Sequence, residues 1–348
     1  MYSLPYNGTD VDWFLQEAEK RKKHLDHIFL DIPLPVGIPR SRGIFYRVGD
    51  VGSYARMFDH ISSCAVLLGK SKGRFRRICT LNAMYYMYGT AGELFAFVKD
   101  ICDAVDKYAI DGLIVTDYRI AKALHTLRPE VEIHTSCNAY QWSITQMEIW
   151  REVCGVKVFN PPREILRVPS KLKEMHDAGF GLKCLVNESC LIGCPNSFNH
   201  SMSIALRCLG ILDMCCQRGV GDILRGNYIV PRWQKHYDRY VDIYKIAGRD
   251  TVGDYPFKCM DAYLREEDKM VLSDLILGGT VAQFKRIVPD GIRDRLTLDR
   301  VPDKLLSCEC KGCSECGLCD RLMKSFVPKE YWDRFYSTRY EIVGKEKT

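Results

Sequence analysis

The chain has 348 residues, of which 47% are hydrophobic and 27% are charged, a composition that predicts a globular protein and excludes a disordered one. Fifty basic and 44 acidic residues leave a formal charge of +6, a mild excess that is compatible with an anionic substrate or with RNA. No apolar run is long enough to span a bilayer and Met1–Asp10 is too polar for a signal peptide, so we expect a cytoplasmic protein without a membrane partner.

Short β-branched runs alternate with longer amphipathic stretches from Phe75 onwards, which indicates strands joined by crossover helices. With one earlier strand, the predicted strands are His27–Pro33, Phe75–Ala83, Gly112–Thr116, Val131–Thr135, Val156–Asn160, Leu182–Asn187 and Ile243–Ala247. The predicted helices are Glu93–Tyr108, Ile120–Leu127, Ile144–Val153 and Arg163–Ala178. The strand count approaches eight and no glycine-rich dinucleotide loop follows a strand, so we predict an α/β protein with a (β/α)8 barrel of TIM type.

Two segments interrupt this alternation. Leu34–Tyr54 is rich in Gly, Pro and Arg and is interpreted as a loop excursion. After the charged run Asp290–Arg300, the chain becomes rich in cysteine and then in aromatic residues. The predicted organisation is a barrel with cysteine-bearing loops over residues 1–300, followed by a cysteine-rich metal-binding segment over residues 301–348.

Cysteine is the compositional outlier, because 17 cysteines without a secretion signal predict metal binding or redox chemistry rather than disulfides. Five stand alone among apolar neighbours and are interpreted as small buried residues: Cys64, Cys79, Cys102, Cys137 and Cys154. Five others crowd into one short window near the C-terminus: Cys308, Cys310, Cys313, Cys316 and Cys319. Closely spaced thiolates can converge on one metal centre, so this window predicts a zinc or an iron–sulfur site, which spacing alone does not distinguish.

A third group of cysteines follows the predicted strand Leu182–Asn187. Cys190 and Cys194 lie on an expected barrel loop, which is where barrel enzymes place their chemistry. Further cysteines could complete a four-thiolate set with this pair: Cys208, Cys215, Cys216 and Cys259. His200, six residues after Cys194, is a candidate ligand or proton donor, and it could equally be a polar group packed near the site.

Polar residues at other strand ends are candidate catalytic residues. His134 and Ser136 close one predicted strand, and Arg163 and Glu164 open the loop after the next. All four are therefore expected at the mouth of the barrel, where the carboxyl ends of the strands meet. Three more polar residues lie at strand ends or on the Cys190 loop, where they could orient a substrate or support the loop: Asn82, Asn187 and Glu188.

Positive charge is predicted at the same mouth. Lys245 lies in the last predicted strand and Arg249 follows it, and their charge suits a carboxylate or a phosphate. The alternative is a purely structural ion pair with Glu164 or Asp250.

Four stretches, in this order along the chain, carry a family resemblance: Asp111–Asp117, Glu132–Ser136, Gly155–Glu164 and Tyr244–Arg249. They resemble the collagenase-like U-32 peptidase family, and the Cys190 loop lies between the third and the fourth stretch, as the cysteine loop of that family does. The resemblance spans Phe75–Cys259, about half of the chain. Ala247 stands where the family has a glutamate, and the spacing from Cys190 to Cys194 is shorter than in the hydroxylating members.

The resemblance implies an iron–sulfur protein on a barrel scaffold. Better understood members of the family take part in oxygen-independent hydroxylation of ubiquinone precursors or RNA bases, with prephenate implicated as hydroxyl donor. The implied cofactor is a 4Fe-4S cluster, whose ligands would be Cys190, Cys194, Cys215 or Cys216, and Cys259. An electron-donor protein would be a further partner.

We accordingly predict an iron–sulfur-dependent oxidoreductase or hydroxylase that acts on an anionic small molecule or on RNA. One different hypothesis is an RNA-binding protein with zinc on the terminal cysteines and a base-stacking aromatic tail: Tyr331, Trp332, Phe335, Tyr336 and Tyr340. A third hypothesis is a peptidase with Cys190 as nucleophile and His200 as base, although the sequence shows no strand–turn–helix nucleophile elbow.

Overall fold

A computed structural model describes residues 1–34, 51–84, 86, 89–206, 219–251, 253–307 and 313–334. Within these ranges the strands, in chain order, are β1 (Tyr2–Pro5), β2 (Leu25–Asp31), β3 (Arg77–Leu81), β4 (Gly112–Val115), β5 (Glu132–Thr135), β6 (Val156–Phe159), β7 (Gly181–Leu185), β8 (Asn187–Leu191), β9 (Gly226–Tyr228) and β10 (Ile243–Lys245). All except β8 and β9 run parallel and close into a barrel in the order β1-β10-β7-β6-β5-β4-β3-β2. The predicted (β/α)8 barrel is therefore confirmed.

The helices of the described residues are α1 (Val11–Lys20), α2 (Val51–Ser71), α3 (Ala91–Tyr108), α4 (Tyr118–Leu127), α5 (Ile144–Cys154), α6 (Pro169–Asp177), α7 (Ser197–Leu206), α8 (Gln234–Tyr237), α9 (Tyr255–Leu264), α10 (Leu272–Leu275), α11 (Gly279–Ile287), α12 (Asp290–Arg293), α13 (Cys313–Cys316) and α14 (Leu318–Phe326). Local signals set several boundaries. Thr90 and Glu93 form a capping box at the start of α3. Gly155 ends α5 in the left-handed region, where a Cβ would overlap the His125 ring. None of these helices is both long and apolar enough to cross a membrane.

Four elements differ from the prediction. The missing eighth strand is β1, a four-residue run within a polar N-terminus that pairs with β2 and β10. The predicted helix Arg163–Ala178 is a 3-10 turn followed by α6, because Pro169 occupies the first turn of a new helix. The Cys190 loop begins as β8, which pairs antiparallel with β9. Of the predicted loop Leu34–Tyr54, residues 35–50 lie outside the described residues, and Val51 already begins α2.

Inside the barrel, side chains divide into an apolar and a polar group. Phe29, Ile78 and Ile114 form a small apolar cluster that is separate from the main core between strands and helices. The polar group, here called the interior network, consists of Ser3, Asp26, His27, Arg76, Glu132, His134 and Lys183. His27, His134 and Lys183 of the interior network are fully buried, whereas Asp26, Arg76 and Glu132 are partly exposed, so the network extends from the buried interior towards the surface.

The interior network begins at β1 and β2. The His27 ring lies 2.6 Å from the Ser3 hydroxyl and 2.5 Å from the Asp26 carboxylate. Arg76, just before β3, then donates to Asp26 at 2.8 Å and also to Glu132 of β5. Buried polar groups need such partners, since an unpaired one costs about 1–3 kcal/mol. The network therefore satisfies ionisable groups inside the barrel and connects strands that are not neighbours.

A buried arginine fixes the β8–β9 hairpin to the barrel. Arg167 is fully buried, and its Nη1 donates to the carbonyl oxygens of Leu224 and Gly226, both at 2.9 Å. Its Nε donates to the carbonyl oxygen of Leu305 at 2.7 Å, and its guanidinium lies 5.5 Å from the Tyr228 ring centroid. One side chain thus joins the loop after β6, the start of β9 and residue 305.

We expect Arg167→Met to lower the free energy of unfolding by about 2–4 kcal/mol, because it leaves three buried carbonyl oxygens without a donor. Urea denaturation followed by circular dichroism measures this difference. Arg119→Met, at an exposed ion pair with Asp117, is the control and should change stability little. An Arg167 variant as stable as this control would contradict the role of the arginine.

Candidate active site

The carboxyl ends of the barrel strands bring polar side chains from distant parts of the chain together. We call this set the barrel-mouth site, and its members are Asp31, Thr80, Asn82, Cys137, Asn138, Arg163, Glu188, Cys190, Lys245 and Arg249. Asp31, Thr80 and Lys245 lie at the carboxyl ends of β2, β3 and β10, and Glu188 and Cys190 lie on β8. The other members follow β3, β5, β6 or β10. Parallel strands in a barrel end on one face, which is why residues more than 200 positions apart can meet there.

Arg163 is the centre of one half of the site. Its Nη2 donates to Asn138 Oδ1 at 2.7 Å and to Cys137 Sγ at 3.5 Å, and its Nη1 donates to Cys190 Sγ at 3.6 Å. Its Nε lies 3.3 Å from a carboxylate oxygen of Glu188. Burial opposes the charge, but Glu188 and the two thiols outweigh it and raise the pKa of Arg163. Arg163 is therefore a charged group that orders two thiols.

Arg249 is the centre of the other half. It forms an ion pair with Asp31, donates to Thr80 Oγ1 at 2.6 Å and donates to Asn82 Oδ1 at 3.4 Å. Burial alone would raise the pKa of Asp31, but Arg249 and His60 hold it well below its ordinary value. The charge of Arg249 is thus matched by Asp31, whereas the sequence suggested Glu164 or Asp250 as partners.

Lys245 is within electrostatic range of both arginines and differs from both. Its side chain is 5% exposed, and its Nζ lies 4.6 Å from the centroid of the Phe29 ring. Within the described ranges this ammonium forms no hydrogen bond or ion pair. Burial, aided by Arg249 and Arg163, lowers the pKa of Lys245 to about 8. The mouth therefore holds a buried cation that forms no ion pair with a described carboxylate, although the charge of Glu188 acts in its favour.

His134 lies in the interior network rather than at the mouth. It is fully buried, with Nε2 2.8 Å from Glu132 Oε1 and Nδ1 2.6 Å from Lys183 Nζ. It faces the barrel axis because side chains alternate along β5, and its neighbour Thr135 instead accepts a bond from the Asn160 amide at 2.8 Å. His134 thus lies deeper inside the barrel than the rule for strand ends predicted.

Two further residues predicted at the mouth have structural contacts. Ser136 caps the 3-10 turn Cys137–Ala139 by accepting a bond from the Asn138 amide. Asn187 accepts a bond from the Ala247 amide at 2.6 Å and donates to the carbonyl oxygens of Ala247 and Leu275, both at 3.3 Å. Its amide thus holds the backbone that follows Lys245.

Glu164 and His200 are two further predicted site residues, and their surroundings in the structure differ from one another. Glu164 is buried in the 3-10 turn with Arg163, and no hydrogen-bond partner for its Oε2 lies among the described residues. His200 lies on α7, whose first turn meets the Cys137 loop where Ser197 is 3.1 Å from the Tyr140 hydroxyl.

The predicted ligands of the implied cluster are only partly brought together. Cys190 and Cys194 are half-buried around the turn that follows β8. Cys259 is fully buried on α9, with its thiol 3.5 Å from the Leu275 carbonyl oxygen, and burial raises the pKa of Cys259 to about 12. The remaining predicted ligands of this set, Cys215 and Cys216, lie outside the described residues, as does Cys208.

The terminal cysteines are also only partly described. Cys308 and Cys310 lie outside the described residues, Cys313 and Cys316 bound α13, and Cys319 is buried on α14. Among the described residues, no three His, Cys, Asp or Glu side chains converge as metal ligands would. The described residues alone therefore do not fit an iron–sulfur cluster or a zinc ion, at either predicted site.

The sequence analysis missed four residues of this site: Asp31, Thr80, Cys137 and Asn138. Cys137 was interpreted as an isolated buried cysteine; it is buried as predicted, but its sulfur contacts Arg163 at the mouth. Its position two residues after the end of β5, beside Ser136 and Asn138, was the signal that could have identified it.

Comparisons with known proteins agree with the predicted resemblance. Residues 70–182 match the family described as Peptidase family U32, and this range contains three of the four stretches that carried the resemblance. A Methanocaldococcus jannaschii protein named uncharacterized protease MJ1657 is 23% identical over 344 residues, covering 94% of this chain and 97% of that protein. The solved structure of the U32 peptidase Mk0906 has a TM-score of 0.45 and 11% identity, covering 64% of this chain and 85% of that chain.

We expect iodoacetamide to modify Cys190 faster than Cys259 at pH 7, because Cys190 is half-buried and contacts the guanidinium of Arg163, whereas Cys259 is fully buried. Arg163→Gln should slow modification of Cys190 by about tenfold. Peptide mass spectrometry over a time course measures each site separately. Cys259 should stay unmodified in both proteins, which checks that the variant is folded. Equal rates at Cys190 in the two proteins would show that Arg163 does not activate it.

Proposed function

We propose that this chain, a member of peptidase family U32, is an enzyme that binds a small anionic substrate at the barrel-mouth site. The unmatched charge of Lys245 carries this proposal. Arg163 and Arg249 each have a carboxylate partner in Glu188 and Asp31, whereas Lys245 has none within the described part of the chain. A buried charge is costly until it is paired, so a carboxylate or phosphate group would supply the missing partner.

The residues around Lys245 suggest how such a substrate is held. The Phe29 ring lies against Lys245 and gives the site an apolar floor, which excludes water beside the ammonium. Arg163, on the opposite side, holds the thiols of Cys137 and Cys190. A thiolate next to a guanidinium can act as a nucleophile or as a ligand of a soft metal. Anion binding and thiol chemistry are thus supported at neighbouring positions.

A second candidate is the iron–sulfur-dependent hydroxylation or related group transfer predicted from the family resemblance. The observation that favours it is the position of Cys190 and Cys194, which are both half-buried and bracket the turn after β8. A cluster bound there would supply electron transfer. Cys259, with its thiol against the Leu275 carbonyl oxygen, does not favour the ligand set that the resemblance implies.

RNA binding and peptidase chemistry have less support. For RNA stacking, Trp332 is buried and its indole donates to the Val327 carbonyl oxygen, and the three last aromatic residues of the tail lie outside the described residues.

For peptidase chemistry, Ser3, His27 and Asp26 have the spacing of a catalytic triad. Ser3 is fully buried inside the barrel, however, where no peptide could reach it.

We expect sulfate, as a simple anion, to bind wild-type protein and to bind Lys245→Met at least tenfold more weakly. Only protonated Lys245 attracts an anion, so affinity should be highest below pH 8 and should fall by about tenfold per pH unit above it. Isothermal titration calorimetry measures both effects. Lys157→Met, which removes an exposed lysine of β6, is the matched control and should bind like wild type. Undiminished binding by Lys245→Met would overturn the proposal.

We expect anaerobically purified protein to contain iron and sulfide and to show a visible absorption band if the second candidate is correct. Cys190→Ser should lose the band, and Cys259→Ser should keep it, because the Cys259 thiol is fully buried against the Leu275 carbonyl oxygen. Metal analysis and absorption spectra of the three proteins decide this. A colourless, iron-free wild-type protein would exclude the cluster without affecting the anion site.

A further inference from the structure

We infer that the substrate of the barrel-mouth site is a small zwitterion, whose anionic group binds Lys245 and whose ammonium group binds Glu164. The inference rests on the proposed anion site, because it names the class of ligand that fills that site. It makes Glu164 a binding residue that distinguishes one anion from another by the second charge that the anion carries.

Glu164 is a buried carboxylate without a cationic partner. The residue is 7% exposed, its Oε2 has no hydrogen-bond partner, and it forms no ion pair with a described residue. The adjacent Arg163 does not supply one, because its guanidinium is bound to Glu188 and Asn138. A buried charge is costly until it is paired. Glu164 is therefore the negative counterpart of Lys245.

Glu164 belongs to the same part of the mouth as Arg163. The two residues share a 3-10 turn after β6, and Arg163 joins this turn to the loop after β5 through Asn138. Tyr140 of that loop is within electrostatic range of Glu164, since burial raises the pKa of Tyr140 and the Glu164 charge raises it further. Burial lowers the pKa of Lys245, and Arg163 adds to that effect. The turn that carries Glu164 is therefore within electrostatic range of Lys245.

Amide groups on the same two loops offer further acceptors. Asn160, directly after β6, is 1% exposed, and Gln141, in the loop after β5, is 2% exposed. Within the described ranges, neither the side-chain oxygen nor the nitrogen of either amide has a hydrogen-bond partner. Asn160 faces the barrel axis, because Phe159 packs outwards against Phe180 and successive side chains alternate. An ammonium group has three N–H donors, which a carboxylate and amide oxygens can accept.

The pairing of charges explains why a zwitterion suits this mouth better than a simple anion. Each arginine of the site is paired with a carboxylate, and no ion pair of the described residues includes Lys245 or Glu164. A simple anion on Lys245 would leave Glu164 without a partner and close to a new negative charge. A ligand that brings an ammonium group as well pairs both residues. Because Lys245 and Glu164 do not contact one another, a spacer must separate the two charges of the ligand.

Isothermal titration calorimetry at pH 7 compares ω-amino acids, from glycine to aminohexanoate, with carboxylates that have a methyl group in place of the ammonium group. At that pH the ammonium group is protonated, since the pKa of an aliphatic amine is about 10. We expect wild type to bind at least one amino acid about tenfold or more tightly than its methyl counterpart, because only the amino acid pairs Glu164. This comparison of ligands does not depend on the folding of any variant.

Glu164→Gln should lose the preference for the amino acid and bind the methyl carboxylates like wild type, which shows that the anion site is folded. Glu174→Gln, at an exposed ion pair with Lys171 on α6, is the matched control and should keep the preference. Equal binding of every amino acid and its methyl counterpart by wild type, or a preference that survives in Glu164→Gln, would overturn this inference and leave the anion site intact. No binding of sulfate or of any carboxylate by wild type would overturn both.

Discussion

Ionisable side chains inside the barrel impose the constraint on which the rest of the structure depends. A TIM-type barrel is usually filled with branched apolar residues, whereas here only Phe29, Ile78 and Ile114 form an apolar cluster on the axis among the described residues. The other side carries the interior network, whose members must find partners within the barrel. Arg76 provides them for two strands at once by pairing with Asp26 and Glu132. The same ion pairs therefore connect these strands and keep their side chains charged.

The barrel-mouth site continues the same arrangement towards solvent. Each arginine there is matched by a carboxylate and by neutral acceptors, so neither is available to a ligand without breaking existing contacts. Lys245 is within electrostatic range of both, with the Phe29 ring as its described contact. The site thus combines a rigid frame with one cation that forms no ion pair with a described carboxylate. Preorganised frames of this kind bind a ligand at a low entropic cost, because few side chains must move.

Sequence reasoning was sufficient where a local pattern determines the structure. Alternating strands and helices identified the barrel, and the rule for strand ends placed Arg163 and Lys245 at its mouth. β1 was missed because Tyr2–Pro5 is a strand only through its pairing with β2 and β10, of which β10 lies far along the chain. The partner of Arg249 was missed for the same reason, since Asp31 is 218 positions away. His134 was misplaced because a strand-end rule does not say which side chains face the axis.

The cysteines show why number and spacing are weak guides to chemistry in this chain. Burial raises the pKa of Cys154 to about 11 and that of Cys259 to about 12, and it raises those of Cys79 and Cys184 as well, so these thiols are kept protonated. Cys137 was grouped with buried thiols by sequence, yet it shares the Arg163 guanidinium with Cys190. We expect a reactive thiol to be separated from an inert one here by contact with a cation that is itself held by Glu188 and Asn138. The chemistry of the mouth therefore depends first on its charges and only then on its sulfur atoms.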